Sequence, residues 1–124
     1  MTIENQQFCE ILDVLEDANA FVVYENSMEK FRISYPSSII RKYFRLNDAY
    51  LLVFQCRSLI AKKKGNLLLV SKTGATLWWA ERLRADDCYV EISVRGESII
   101  AYDGTYNCHI NISTGKIEQK DFVK

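Results

Sequence analysis

From residue 49 to the end of the chain, apolar runs alternate with turn-forming pairs, and this rhythm constrains the fold more than any other feature. The runs are Tyr50 to Cys56, Asn66 to Ser71, Ala75 to Glu81, Cys88 to Val94, Ser98 to Tyr102, Tyr106 to Ser113 and Lys116 to Val123. Between them stand Thr73-Gly74, Asp86-Asp87, Gly96-Glu97, Asp103-Gly104 and Thr114-Gly115. Turn signals about every 8 to 12 residues, between runs too short for helices, are the pattern of an antiparallel meander. Tyr50 to Phe54 is apolar on both parities, which predicts a central strand covered on both faces. In Cys88 to Arg95 the apolar positions alternate, so Cys88, Val90, Ile92 and Val94 are expected inward and Tyr89, Glu91, Ser93 and Arg95 outward.

The first 48 residues read differently. Phe8, Ile11, Leu12, Leu15 and Ala18 recur at helical spacing, predicting an amphipathic helix over 5–19. A mixed segment, 20–47, follows. In it Phe21 to Tyr24 and Phe31 to Tyr35 are short β-like runs about the polar Glu25-Asn26-Ser27, and the only proline, Pro36, breaks the chain. Ser37 is then placed to cap a second helix through Ile39, Ile40, Tyr43 and Phe44. The expected architecture is therefore α+β and mainly β. It is one domain over 1–124: an antiparallel meander sheet or β-sandwich of about seven strands over 49–123, covered on one face by the N-terminal amphipathic helix.

Chemistry-bearing residues are few. Cys9, Cys56, Cys88 and Cys108 are too far apart in sequence for a short metal-binding pair, and are expected as reduced thiols, with Cys88 and Cys108 on apolar faces. The single histidine, His109, rules out motifs that need two, and strand alternation turns it away from Cys108 toward Asn107, Asn111 and Ser113. The glycines form neither a phosphate loop nor a nucleophile elbow. No catalytic set, metal site or cofactor is expected. An enzyme would need a concave pocket that gathers Asp103, His109 or Asp86 with a basic group. No apolar run approaches the roughly 20 residues of a membrane span, and the start Met1-Thr2-Ile3-Glu4 lacks the basic residues of a secretory leader. The chain reads as cytoplasmic, with no membrane partner.

Charge is segregated although the net charge is zero: residues 1–29 carry seven acids and no base, residues 30–64 nine bases and one acid. On the expected first helix Glu10, Asp13, Glu16 and Asp17 form an acidic ridge that, having no i+3 or i+4 base, works against its own helix. Such a ridge points to a basic partner, either another protein or the chain's own basic segment. Arg41, Lys42 and Arg45 around Tyr43 and Phe44, with Lys62 to Lys64 beyond, suggest phosphate contacts and base stacking. Against that, the two rings fall on the apolar side of the expected helix, and the neutral overall charge lacks the field of a nucleic-acid binder.

Two resemblances add to this reading. Val70-Ser71-Lys72-Thr73-Gly74 echoes Ile112-Ser113-Thr114-Gly115, the Thr-Gly pairs lying 41 residues apart. With Trp78-Trp79 following the first pair, residues 66–79 resemble a blade of the quinoprotein-like propellers, although the second copy has Ile117-Glu118-Gln119 in place of the tryptophan. The implication is of consecutive hairpins, since 124 residues hold at most three such units and a full propeller in one chain needs four or more. One ring of Trp78-Trp79 should enter the core and the other face outward, either as an interface anchor, expected at Trp78, or packed under a helix. By build, the chain resembles the immunity proteins of bacterial contact-dependent inhibition and related polymorphic toxin systems. That resemblance implies a non-enzymatic protein-binding module neutralising one cognate toxin domain, such as a nuclease, with Glu10, Asp13, Glu16, Asp17 and Trp78 as the binding residues. A nucleic-acid-binding module using 41–64, or a small enzyme, is the alternative.

Overall fold

The computed structural model describes residues 9–14 and 18–123, with side chains from residue 20 onward. Among the described residues it contains eleven strands and one short helix. β1 (Cys9–Val14), β2 (Ala18–Glu25) and β3 (Met28–Pro36) form one antiparallel sheet. β4 (Ile40–Arg45), β5 (Ala49–Phe54), β6 (Leu67–Ser71) and β7 (Thr76–Trp79) form a second, with α1 (Leu59–Lys64) between β5 and β6. β8 (Glu91–Arg95), β9 (Ser98–Tyr102), β10 (Tyr106–Ile110) and β11 (Ile117–Phe122) form the third. Each sheet is a meander in chain order.

The three sheets stack face to face, with the second in the middle. Side chains from its two faces enter different cores. Leu51, Val53, Leu67, Leu69 and Trp78 pack with Ile99, Ala101, Cys108 and Ile110 of the third sheet. Tyr50, Leu52, Phe54, Leu68 and Val70 pack with Phe21, Val23 and Tyr35 of the first. Every residue of β5 is buried, as a strand apolar on both parities requires. The first core is closed largely by rings: Phe21 lies edge-on to Tyr43 and Tyr50, and Tyr35 edge-on to Phe54. Burial pushes the Tyr35 hydroxyl up to about 12.

All seven runs expected after residue 49 are strands, β5 to β11, and they are divided between two sheets, as in the sandwich alternative. Four further strands precede them. The β2–β3 hairpin turns through Asn26 and Ser27, both at positive φ, and β3 ends at the only proline. Both expected helices are corrected. Cys9–Val14 and residues 18–19 are strand within the predicted helix 5–19, whose remainder lies outside the described residues. A short apolar segment fits either period, and here β2, dense in Phe21, Val22 and Val23, supplies a hydrogen-bonding edge. The second expected helix is β4. Tyr43 enters one core and Phe44 the other, so a strand with two covered faces and a bulge after Ile40 imitates helical spacing. Lys62 to Lys64 form the last turn of α1.

The Thr-Gly echo marks a repeated contact between sheets. Gly115 sits directly under the ring of Trp78, so that a Cβ there would lie 2.6 Å from Trp78 Cδ2. Trp78 Nε1 donates to the carbonyl of Ile112, at 2.9 Å. One sheet earlier, Gly74 lies under Phe31 in the same way, its Cβ position 3.0 Å from the ring. At the corresponding place in β11 stands Gln119, which is exposed.

Candidate functional site

The most heavily worked region is the end of the middle sheet where β4 begins and β5 stops. The connector 55–58 is pinned to the entry of β4: Gln55 N donates to Ile39 O at 2.8 Å, and Ile39 N to Ser58 Oγ at 2.9 Å. This pinning places Arg41, Gln55, Cys56 and Arg57 around a hollow of about 490 Å³, with Val90 on its far wall. Arg41 Nη1 donates to Val90 O across it, at 3.2 Å. Lys62, Lys63 and Lys64 follow in the last turn of α1, where cations suit the negative end of the helix dipole. On β4, the Lys42 ammonium lies over the Phe44 ring, 4.8 Å from its centroid. Arg41, Lys42, Arg57 and Lys62 to Lys64, from the sequence segment of highest positive charge, are all exposed.

Cys56 and Cys88 are joined by a disulfide, Cα to Cα 5.8 Å, on the wall of this hollow. This overturns the expectation that they are reduced thiols and that Cys88 belongs to an inward strand face. The alternation expected for Cys88 to Arg95 holds only from Glu91, where β8 begins, while Tyr89 is buried and Val90 exposed. Beside the disulfide, the fully buried Asn66 bridges two chain segments. Its Nδ2 donates to Tyr89 O (2.7 Å) and Phe54 O (3.0 Å), and its Oδ1 accepts from Tyr89 N (3.0 Å). The Tyr89 hydroxyl donates to Glu81 O at 2.7 Å, and burial drives that phenol's pKa far up. Cys108 is a free, fully buried thiol, as expected of a core cysteine, and burial raises its pKa.

The concave gathering that an enzyme would need exists in part. A hollow of about 280 Å³ is lined by Arg84, Asp87, Asp103, Thr105, Tyr106 and Lys120, together with Leu83. Both carboxylates are engaged in holding turns. Asp87, buried, accepts from Arg84 N (3.0 Å) and Arg84 Nε (3.2 Å). Asp103 Oδ1 accepts from Thr105 N (2.9 Å) and Tyr106 N (2.8 Å). Burial alone would raise the Asp103 pKa, but these backbone N–H groups, the Asp87 side chain and the Arg84 charge outweigh it and hold the group below its ordinary value. His109 is elsewhere, on the other face of β10 from Cys108, its Nε2 2.9 Å from Asp121 Oδ2. Asp86 is exposed and outside the hollow.

A prediction follows from the sign of the Asp103 shift. A carboxylate with a depressed folded pKa contributes stability above the unfolded value, near 4, and loses it as pH falls through the folded one. Asp103→Asn should therefore flatten the loss of stability below about pH 4. Urea midpoints measured across the acid range check this, and an acid slope identical to wild type would refute it.

Of the sequence-predicted binding residues, Glu10 and Asp13 lie in β1, paired with Val22 and Asn19, while Glu16 and Asp17 lie outside the described residues. The 100° spacing that gathers the four into a ridge is a helical property, and β1 is a strand. β1 touches β4 of the middle sheet. Trp78 does not face outward. It is buried beneath the third sheet, while Trp79 stacks on Phe54 in the other core, because both faces of the middle sheet are covered. Sequence reasoning missed the disulfide and Asn66; cysteines 32 residues apart give no local pattern, and nothing in Gly65-Asn66 signals a bridge between sheets. A third hollow, of about 580 Å³, opens at the β4–β5 turn between Phe44, Leu46, Leu77, Val94 and Ile112. That volume is the size of a small-molecule pocket, and Arg45, Asp48 and Glu97 also line it.

This stack of antiparallel meanders defines a small β module. Residues 25–122 match a family described as a domain of unknown function, DUF7957, and the chain belongs to that family. The match begins at the last residue of β2 and takes in the second and third sheets entire. No curated protein matches the chain.

Proposed function

We propose that the chain is a non-enzymatic protein-binding module, acting in the cytoplasm as an immunity protein that neutralises one cognate toxin domain. The observation that carries the reading is how the polar side chains are used. Asp87 and Asp103 hold turns, His109 and Asp121 pair on an outer face, and Asn66 bridges sheets, whereas the cations of β4, the connector and α1 face outward. Exposed charge of this kind suits recognition and steering of a protein partner. On this reading the margin formed by Arg41, Lys42, Arg57 and Lys62 to Lys64 meets acidic groups of the partner. The acidic residues Glu10, Asp13, Glu16 and Asp17 meet basic ones beside it.

The second reading, a nucleic-acid-binding module on the same margin, is favoured by that exposure but not by the rings. Tyr43 and Phe44 are half-buried in two separate cores and are not available as a stacking platform. Affinity capture from the native cells, at low and at moderate salt, tests both. The expected result is one stoichiometric protein that survives the salt step and is lost from an Arg41→Glu, Lys42→Glu, Arg57→Glu variant. Retention of RNA or DNA that washes off with salt would transfer the assignment to the second reading.

A further inference from the structure

We propose that the hollow beside the Cys56–Cys88 disulfide is a docking and exchange site for an anionic low-molecular-weight thiol of the glutathione type. Cys56 is exposed and Cys88 only half so, and it is Cys56 whose side chain lines the hollow. Two guanidinium groups, Arg41 and Arg57, share that wall with Gln55. They offer a carboxylate-bearing thiol charge-assisted hydrogen bonds next to the sulfur it must attack. Cys88 sits in a segment whose next residue, Tyr89, is buried and held through both its N–H and its carbonyl by Asn66, whereas Cys56 is in a surface connector.

In the first step the incoming thiolate bonds to Cys56 Sγ as the Cys56–Cys88 bond breaks, and Cys88 leaves as a thiolate that takes a proton from water. In the second, another thiol attacks the small molecule's sulfur in the mixed disulfide. Cys56 is released as a thiol and the small thiol departs as its own disulfide. Two electrons pass from two thiols to the cystine. The product has the connector 55–58 unlinked from the crossover 80–90, the segment that carries the chain from the middle sheet to the third. The thiol state of the surroundings thereby sets how firmly the third sheet is held. This inference does not depend on the identity of any protein partner.

The test compares the opening rate with glutathione against that with neutral 2-mercaptoethanol, each per unit of thiolate. Glutathione should be the faster, and salt should reduce its advantage. Arg57→Gln should slow glutathione by about two- to fivefold, the size of an exposed ion-pair effect, and leave 2-mercaptoethanol unchanged. Arg41→Gln should act the same way; because Arg41 also binds Val90, the neutral thiol reports any general loosening of the site. Limiting glutathione, alkylation and peptide mapping should place the adduct on Cys56 and the alkyl group on Cys88. Equal rates for the two thiols, an adduct on Cys88, or a disulfide that glutathione does not open would each overturn the proposal.

Discussion

Trp78→Ala is expected to remove about 3 to 5 kcal/mol, the range for a large buried ring, and so a large share of a small domain's stability of about 5 to 15 kcal/mol. The ring is 9% exposed, fills the space between the middle and third sheets, and its Nε1 satisfies the Ile112 carbonyl. Truncation leaves a cavity and an unpaired acceptor together. Gly115→Ala probes the same contact from the other side. The residue has φ +78°, and its added Cβ would stand 2.6 Å from Trp78 Cδ2. Left-handed strain of about 1 to 2 kcal/mol then adds to overpacking of about 1 to 3 kcal/mol. The two changes should be strongly non-additive, because removing the ring makes room for the methyl group and leaves only the backbone strain. Urea unfolding of both single variants and the double variant measures this. A Gly115→Ala protein within about 0.5 kcal/mol of wild type would mean that ring and glycine are not in contact.

The second large effect is expected from the disulfide. Cys56 and Cys88 are separated by 32 residues, and closing a loop of that length restricts the unfolded chain enough to be worth about 2 to 4 kcal/mol. A Cys56→Ala, Cys88→Ala variant should lose that amount and should unfold with a larger m value, since its denatured state is less compact. The native fold should survive at lower stability, because Asn66 still joins the two segments through its hydrogen bonds to Phe54 and Tyr89. Wild type titrated with reductant should follow the same curve as the variant. Coincident unfolding of oxidised and reduced protein would show that the bridge does not constrain the chain.

The two effects bear on one junction. Trp78 and Gly115 join the middle and third sheets at β7 and the β10–β11 turn, while Cys56–Cys88, Asn66 and the Arg41–Val90 bond tie the middle sheet to the segment that leads into β8. The first sheet is held to the middle one by ring packing around Phe21, Tyr35, Tyr43 and Tyr50. Arg41 and Arg57 line the hollow beside that disulfide. A partner bound there would therefore meet a surface whose rigidity depends on the thiol state of Cys56 and Cys88.

What the chain's sequence determines by itself is local. The turn pairs from Thr73-Gly74 to Thr114-Gly115 place β6 to β11 to within about three residues, because turns are made by residues near one another in the chain. Two-sided apolarity makes β5 central for an equally local reason. Tertiary structure decided the rest. β1 and β4 carry apolar spacings that suit a helix or a doubly covered strand, and only the neighbouring strands β2 and β5 settle which. The division of one long meander into stacked sheets, and with it the burial of Trp78, depends on which faces find each other. The site depends on the same pairing. Cys56, Asn66, Cys88 and the carbonyls they serve are brought together by the crossover of a whole sheet, and contacts of that range leave no periodic signal in sequence.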